Sequence, residues 1–87
     1  MNNVTEKTPL GMSNFDGKID DGLAEALIAG EGKVYASHAA WNFNGKVYYR
    51  DGMFHEDVWR YHSLKETISA ETLQELMSAV NDEYGYE

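Results

Sequence analysis

The apolar residues change period along the chain, and each change marks an element. Val34 to Phe43 is a run of β-formers and alanines, Lys46 to Arg50 continues with Val47, Tyr48 and Tyr49, and Met53 to His62 adds Phe54, Val58, Trp59 and Tyr61. Runs of this kind, bounded by turn residues, predict strands. Asn44-Gly45 and Asp51-Gly52 stand between them. Both pairs suit two-residue hairpin turns, whose central residues need positive φ. The expectation is a three-stranded antiparallel meander. Beyond it, Leu73, Leu76, Met77, Val80 and Tyr84 recur at the spacing of one helical face. Ser69 is placed as the N-cap of this helix, Ile68 and Leu73 as its hydrophobic staple, and Gly85 as its C′ residue. A shorter helix is expected over residues 20–29, capped by Asp20 or Asp21. Its stripe is Leu23, Ala26, Leu27 and Ile28, and Gly30 would end it. Residues 1–18 follow no period and mix Asn, Thr, Ser and Gly with Pro9, so they read as a flexible tail in which Met12 and Phe15 are the side chains able to dock. Residues 19–87 form a single α+β domain of order α-β-β-β-α.

A turn at Asn44-Gly45 sets Phe43 opposite Lys46, Trp41 opposite Tyr48 and Ala40 opposite Tyr49. Alternation of side chains then separates two faces. One carries Tyr35, Ala39, Trp41, Phe43 and Tyr48, joined by Met53, Trp59 and Tyr61 if Asp51-Gly52 is also a two-residue turn. The other carries Val34, Ala36, His38, Ala40, Val47 and Tyr49, with Phe54 and Val58. The small side chains of the second face suit close packing by the C-terminal helix. The aromatic face is left to the tail, the first helix or another molecule. Tyr35, Trp41, Phe43, Tyr48, Trp59 and Tyr61 are therefore a candidate partner-binding or dimer surface, since Tyr and Trp bury area at low entropic cost and keep a polar tip. The plainer alternative is that these rings are ordinary core.

Charge adds a second candidate surface. The 87 residues carry 7 Lys+Arg against 15 Asp+Glu, a net charge of −8. Residues 1–33 are net −3, residues 34–61 neutral and residues 62–87 net −5. Glu71, Glu75 and Asp82 fall opposite the apolar stripe of the last helix, and Asp82, Glu83 and Glu87 crowd its C-terminal end, where the macrodipole disfavours negative charge. The functional reading is a docking face for a basic partner surface; the bland reading is a solubilising face. The acidic balance argues against phosphate binding. The order α-β-β-β-α is shared with double-stranded RNA-binding domains, but Ser69-Ala70-Glu71 stands where that fold needs Lys and Arg, so no nucleic-acid partner is expected.

Chemistry is sparse. The chain lacks cysteine, which removes disulfides, thiolate nucleophiles and Cys-based zinc sites. His38, His55 and His62 lie on strands or turns, and the consecutive residues His55, Glu56 and Asp57 point to alternate faces, so no metal site is expected. There is no G-x-S-x-G elbow or other nucleophile signature. The acid pairs Asp20-Asp21, Glu56-Asp57 and Asp82-Glu83 are explained by capping or surface charge. A non-enzymatic protein without cofactor is the expectation. MNNVTEKTPLG has neither the basic start nor the apolar run of a secretory signal, and no segment approaches a membrane span, which points to the cytoplasm.

Two stretches, HAAWNFNGKVYYRDGMFHEDVWRYH at 38–62 and SAETLQELMSAVNDEYG at 69–85, resemble small accessory proteins of actinobacteriophages, mycobacteriophages especially. The resemblance covers about three quarters of the chain and carries no catalytic motif. It implies a small phage-encoded protein that binds and alters a host protein in the host cytoplasm. The alternative of a different class is a self-associating, homodimeric structural protein that uses the aromatic sheet face.

Overall fold

The computed structural model of the chain describes residues 8–9, 21–40 and 42–85. The elements are β1 (Thr8–Pro9), α1 (Asp21–Ala29), β2 (Val34–Ala40), β3 (Phe43–Arg50), β4 (Met53–Arg60), β5 (Ser63–Ala70) and α2 (Leu73–Tyr84). Strands β2 to β5 form an antiparallel meander in sequence order, and the two-residue β1 adds to β2 in parallel. The fold is thus α+β, as expected, but its meander has four strands rather than three. Of the expected tail, Thr8–Pro9 is this edge strand; the rest of that expectation, with Asp20 and Trp41, lies outside the described residues.

The fourth strand, β5, was hidden by its composition. Five of its first residues, Ser63 to Thr67, are exposed, and Ile68 and Ala70 are half-buried. An edge strand with one apolar contact row shows little alternation. A register shift between Val58 and Trp59 pairs Val58 with Glu66 but Trp59 with Leu64, leaving Lys65 as the extra residue of a bulge. A bulge and a lysine on an outer strand both discourage edge-to-edge pairing. Because Ser69 belongs to β5, it does not cap α2. Thr72 does: its Oγ1 accepts from the Glu75 N–H at 3.1 Å. The expected staple of Ile68 and Leu73 is displaced with it. Gly85 ends α2 as expected, at φ 58°, with its N–H donating to the Asn81 carbonyl.

The first hairpin turn is also not where Asn44-Gly45 suggested. Ala40 pairs with Phe43, so the chain reverses over residues 41–42, and Asn44-Gly45 lies inside β3. The physical reason is Glu56. A Cβ on Gly45 would sit 1.9 Å from the Glu56 carboxylate. Glycine is therefore used for close approach within a strand, not for a turn. Glu56 reaches over that gap to His38, and its Oε2 lies 2.8 Å from His38 Nδ1 with both side chains 0% exposed. The second turn is as expected: Arg50 pairs with Met53 around Asp51 and Gly52, both at positive φ.

Both helices cover the same sheet face. Leu27 of α1 and Leu73, Leu76, Met77 and Val80 of α2 close over Ala36, Phe43, Val47, Phe54 and Val58. α1 lies against β2 and β3, and α2 against β4 and β5. Leu23 packs at the edge of this core, whereas Ala26 and Ile28 are exposed. Gly30 follows α1 directly, but no positive φ requires it; its missing Cβ makes room for Val34. The left-handed residue is Gly32 instead.

Removing Leu76 to alanine should cost about 2–5 kcal/mol in a denaturant titration, a large share of the roughly 5–15 kcal/mol that small domains possess. Gly45→Ala should cost about 1–3 kcal/mol through overpacking, and Glu56→Ala about 1–3 kcal/mol by removing the carboxylate that His38 hydrogen-bonds. A Gly45→Ala protein of unchanged stability would show that the Glu56 side chain can swing aside.

Candidate functional site

The outer sheet face gathers part of the expected aromatic surface. Tyr35 on β2, Tyr48 on β3 and Trp59 on β4 project from it, as the alternation required. Phe43 does not: with the reversal at 41–42 it begins β3, so its parity flips and it is buried beneath the helices. Tyr61 is not on a strand. With His62 it forms the β4–β5 turn, at φ 51° and 66°, and it is 89% exposed. Trp41 lies outside the described residues.

Cations and polar bonds knit the outer face. The Lys46 ammonium stands 5.3 Å from the Tyr35 ring centroid and 5.8 Å from that of Trp59, within cation–π range. The Tyr48 hydroxyl donates to Asp57 Oδ1 at 3.0 Å, and Thr67 Oγ1 donates to the same oxygen at 2.7 Å. Burial, then the hydrogen bond to Asp57 and its charge, raise the Tyr48 hydroxyl above its usual range, against a smaller lowering by Arg50. Tyr48 therefore remains a donor at neutral pH. His55 stacks on Tyr48 and bridges the Arg50 carbonyl, to which its Nε2 donates at 3.0 Å, and Ser69 Oγ at 2.7 Å. Of the trio His55-Glu56-Asp57, the outer two share this face and Glu56 is in the core. Among the described residues no three His, Asp or Glu side chains converge as metal ligands, and no helix is long and apolar enough to cross a membrane.

The acidic residues divide differently from the expected single helical face. Glu75 and Asp82, two turns apart, are exposed on α2, but Glu71 precedes the Thr72 cap and is an exposed residue of the β5–α2 connection. No basic residue occupies the last turn of α2. Its carbonyls find another partner in Asn42, whose Nδ2 donates to the Tyr84 carbonyl at 3.3 Å.

That contact belongs to a second feature, which sequence reasoning missed. The β2–β3 and β4–β5 turns lie at the same end of the sheet, and Arg60 Nε donates to the Asn42 carbonyl at 3.1 Å to tie them together. Between them opens a cavity of about 280 Å³, walled by Asn42, Phe43, Asn44, Trp59, Arg60 and Tyr61. Asn42 Oδ1 and Trp59 Nε1 are both buried and have no hydrogen-bond partner. Nothing in the sequence marked Asn42 or Arg60, because neither turn, at 41–42 or at 61–62, contains a glycine.

Compared with known protein families, with curated proteins and with solved structures, the chain matches none.

Tyr84, at the end of α2, offers a direct check on this corner. Burial, then the hydrogen bond to Glu66 and that carboxylate's charge, push its hydroxyl up to about 12 from 10.0. A folded value above the unfolded one stabilises the fold fully below pH 10 and is lost as pH rises from there towards 12. Glu66→Gln should bring the Tyr84 ionisation, followed by its ring NMR shifts, back down. An unchanged titration would assign the shift to burial alone.

Proposed function

We propose that the chain is a non-enzymatic protein-binding module that presents the outer face of its sheet to a partner protein. The observation that carries this reading is the layered cluster of Tyr35, Lys46 and Trp59 on the sheet face opposite both helices. Aromatic rings are among the side chains that anchor protein interfaces, and Lys46 holds two of them together through cation–π contacts. Glu75 and Asp82 on α2, with Glu71 just before it, then act at longer range and steer a partner with a basic surface. Such steering is screened over about 8 Å at physiological salt and is felt chiefly in the on-rate. The resemblance to actinobacteriophage accessory proteins supplies the setting, a phage-encoded protein that binds and modulates a host protein in the host cytoplasm.

Capture from an actinobacterial lysate, followed by titration of the captured protein, tests the reading. Tyr35→Ser with Lys46→Glu should weaken binding by at least tenfold, whereas Glu75→Gln with Asp82→Asn should mainly flatten the salt dependence of association. The mass in solution covers the alternative of self-association: a tight dimer that the sheet-face variant dissociates would make a second copy the partner. Undiminished capture by the sheet-face variant rejects the outer face as the binding surface.

A further inference from the structure

We propose that the outer sheet face receives an extended acidic segment of a partner protein, with an aspartate or glutamate carboxylate on Lys46 and an apolar side chain two residues away on Trp59 and Leu64. This deepens the function proposed above and rests on it in taking the outer face as the binding surface. Lys46 carries the argument. The chain has 15 Asp+Glu against 7 Lys+Arg, so carboxylates are plentiful. Yet the ion pairs among the described residues are His38 with Glu56 and Arg50 with Asp51, and Lys46 is in neither. Directly opposite it in register is Asp57, where an opposite charge ordinarily pairs across strands. That carboxylate is turned elsewhere, its Oδ1 accepting from the Tyr48 and Thr67 hydroxyls. The Lys46 ammonium stands instead by two rings, 5.3 Å from the Tyr35 centroid and 5.8 Å from that of Trp59. Rings attract its charge but give its three N–H donors no lone pair, and the residue is exposed.

Charge complementarity selects the carboxylate. The outer face carries Lys46 and Arg50 against Asp57, whereas Glu75, Asp82 and Glu83 belong to α2, which packs on the other side of the sheet. Charge is screened over about 8 Å at physiological salt, so a single carboxylate can approach Lys46 from the outer side. A nucleic-acid strand would run on past the one cation towards the acids of a chain of net charge −8, and it needs a row of Lys and Arg to hold its phosphates. An ammonium would meet Lys46 head on. The apolar half of the segment has its own seat. Leu64 is 50% exposed and pairs in register with Trp59, so their side chains share the outer face and form an apolar ledge beside the ammonium. An extended segment sets residues i and i+2 on one side, about 7 Å apart. That spacing is close to the 5.8 Å between the ammonium and the Trp59 ring, which places the acid and the apolar residue two positions apart.

The test uses the full chain labelled with ¹⁵N and needs no partner protein, so its failure is distinct from that of the capture experiment. The probe is the acetylated, amidated peptide Leu-Ser-Glu-Ser-Leu, which offers a leucine two residues to either side of the acid. Its counterparts carry Gln or Lys for Glu, or Ala for both leucines. The glutamate peptide is expected to shift the backbone amide signals of Lys46, Trp59 and Leu64 saturably, with a Kd on the order of millimolar, as befits so small a ligand. The Gln and Ala counterparts should bind at least threefold more weakly, and the Lys counterpart at least tenfold. In Lys46→Glu, a substitution at an exposed position, the order of the Glu and Lys peptides should invert. A preference for glutamate that survives Lys46→Glu would place the charge recognition elsewhere and overturn the proposal. Equal binding of all the peptides, or signals that do not move, would overturn it too. Tighter binding of an oligothymidylate would make the face a nucleic-acid surface, and shifts of the same signals on concentrating the chain alone would make a second copy the occupant; either result overturns it. The comparison of probes on the unsubstituted chain decides the matter even if the variant fails to fold.

Discussion

A carboxylate and an imidazole hydrogen-bonded in the centre of a small core constrain everything around them. Glu56 and His38 are fully buried, and a buried polar side chain that loses a hydrogen-bond partner costs about 1–3 kcal/mol. Each therefore demands the other, and the demand is geometric. His38 is on β2 and Glu56 on β4, with β3 between them. The carboxylate crosses β3 only at Gly45, directly opposite His38. A slip of β2 on β3 by two residues would put Ala36 or Ala40 at that gap and leave His38 facing a side chain. Apolar strands could tolerate such a slip, because one hydrophobic neighbour replaces another. A polar pair that fits through a single glycine cannot. Glu56 Oε1, buried with no hydrogen-bond partner, shows that this specificity is kept at some cost in stability.

That constraint explains which parts of the fold were legible in the sequence. The periodicity of Leu73, Leu76, Met77 and Val80 was legible because a helix face repeats at its own period whatever it packs against. The inward placement of Ala36, Val47, Phe54 and Val58 was legible because alternation within a strand survives an error in the turn. The register was not, since Asn44-Gly45 carries the strongest local hairpin signal in the chain while its glycine serves a residue eleven positions away. Phe43 was misplaced by the same error: a reversal three residues earlier moves it to the next strand and turns it inward. β5 went unseen because an edge strand with polar outer positions has no pattern distinguishing it from a loop, and the turn before it, Tyr61-His62, has no glycine, asparagine or proline to announce it.

The candidate site was legible in the same uneven way. Tyr35, Tyr48 and Trp59 follow from alternation alone. The role of Lys46 does not, because its contact with Tyr35 and Trp59 crosses three strands and depends on the true register. The acidic surface was read as one helical stripe, and the cap at Thr72 breaks it. Glu75 now has a local reason, since a carboxylate in the first turn favours the positive end of the dipole. Asp82 and Glu83 gain no such reason, and they remain at the end where negative charge is least welcome.

The last turn of α2 shows how the two ends of the molecule are linked. Its carbonyls would ordinarily attract lysine or arginine, yet none is present there. Asn42 supplies a neutral donor instead, from a turn far away in sequence. Using Nδ2 in this way commits the orientation of the Asn42 amide. Arg60, fixed to the Asn42 carbonyl, holds the other turn close. The cavity is thus a consequence of how α2 is terminated: two turns are pulled to the helix end, and Asn42, Phe43, Asn44, Trp59, Arg60 and Tyr61 wall the space between them.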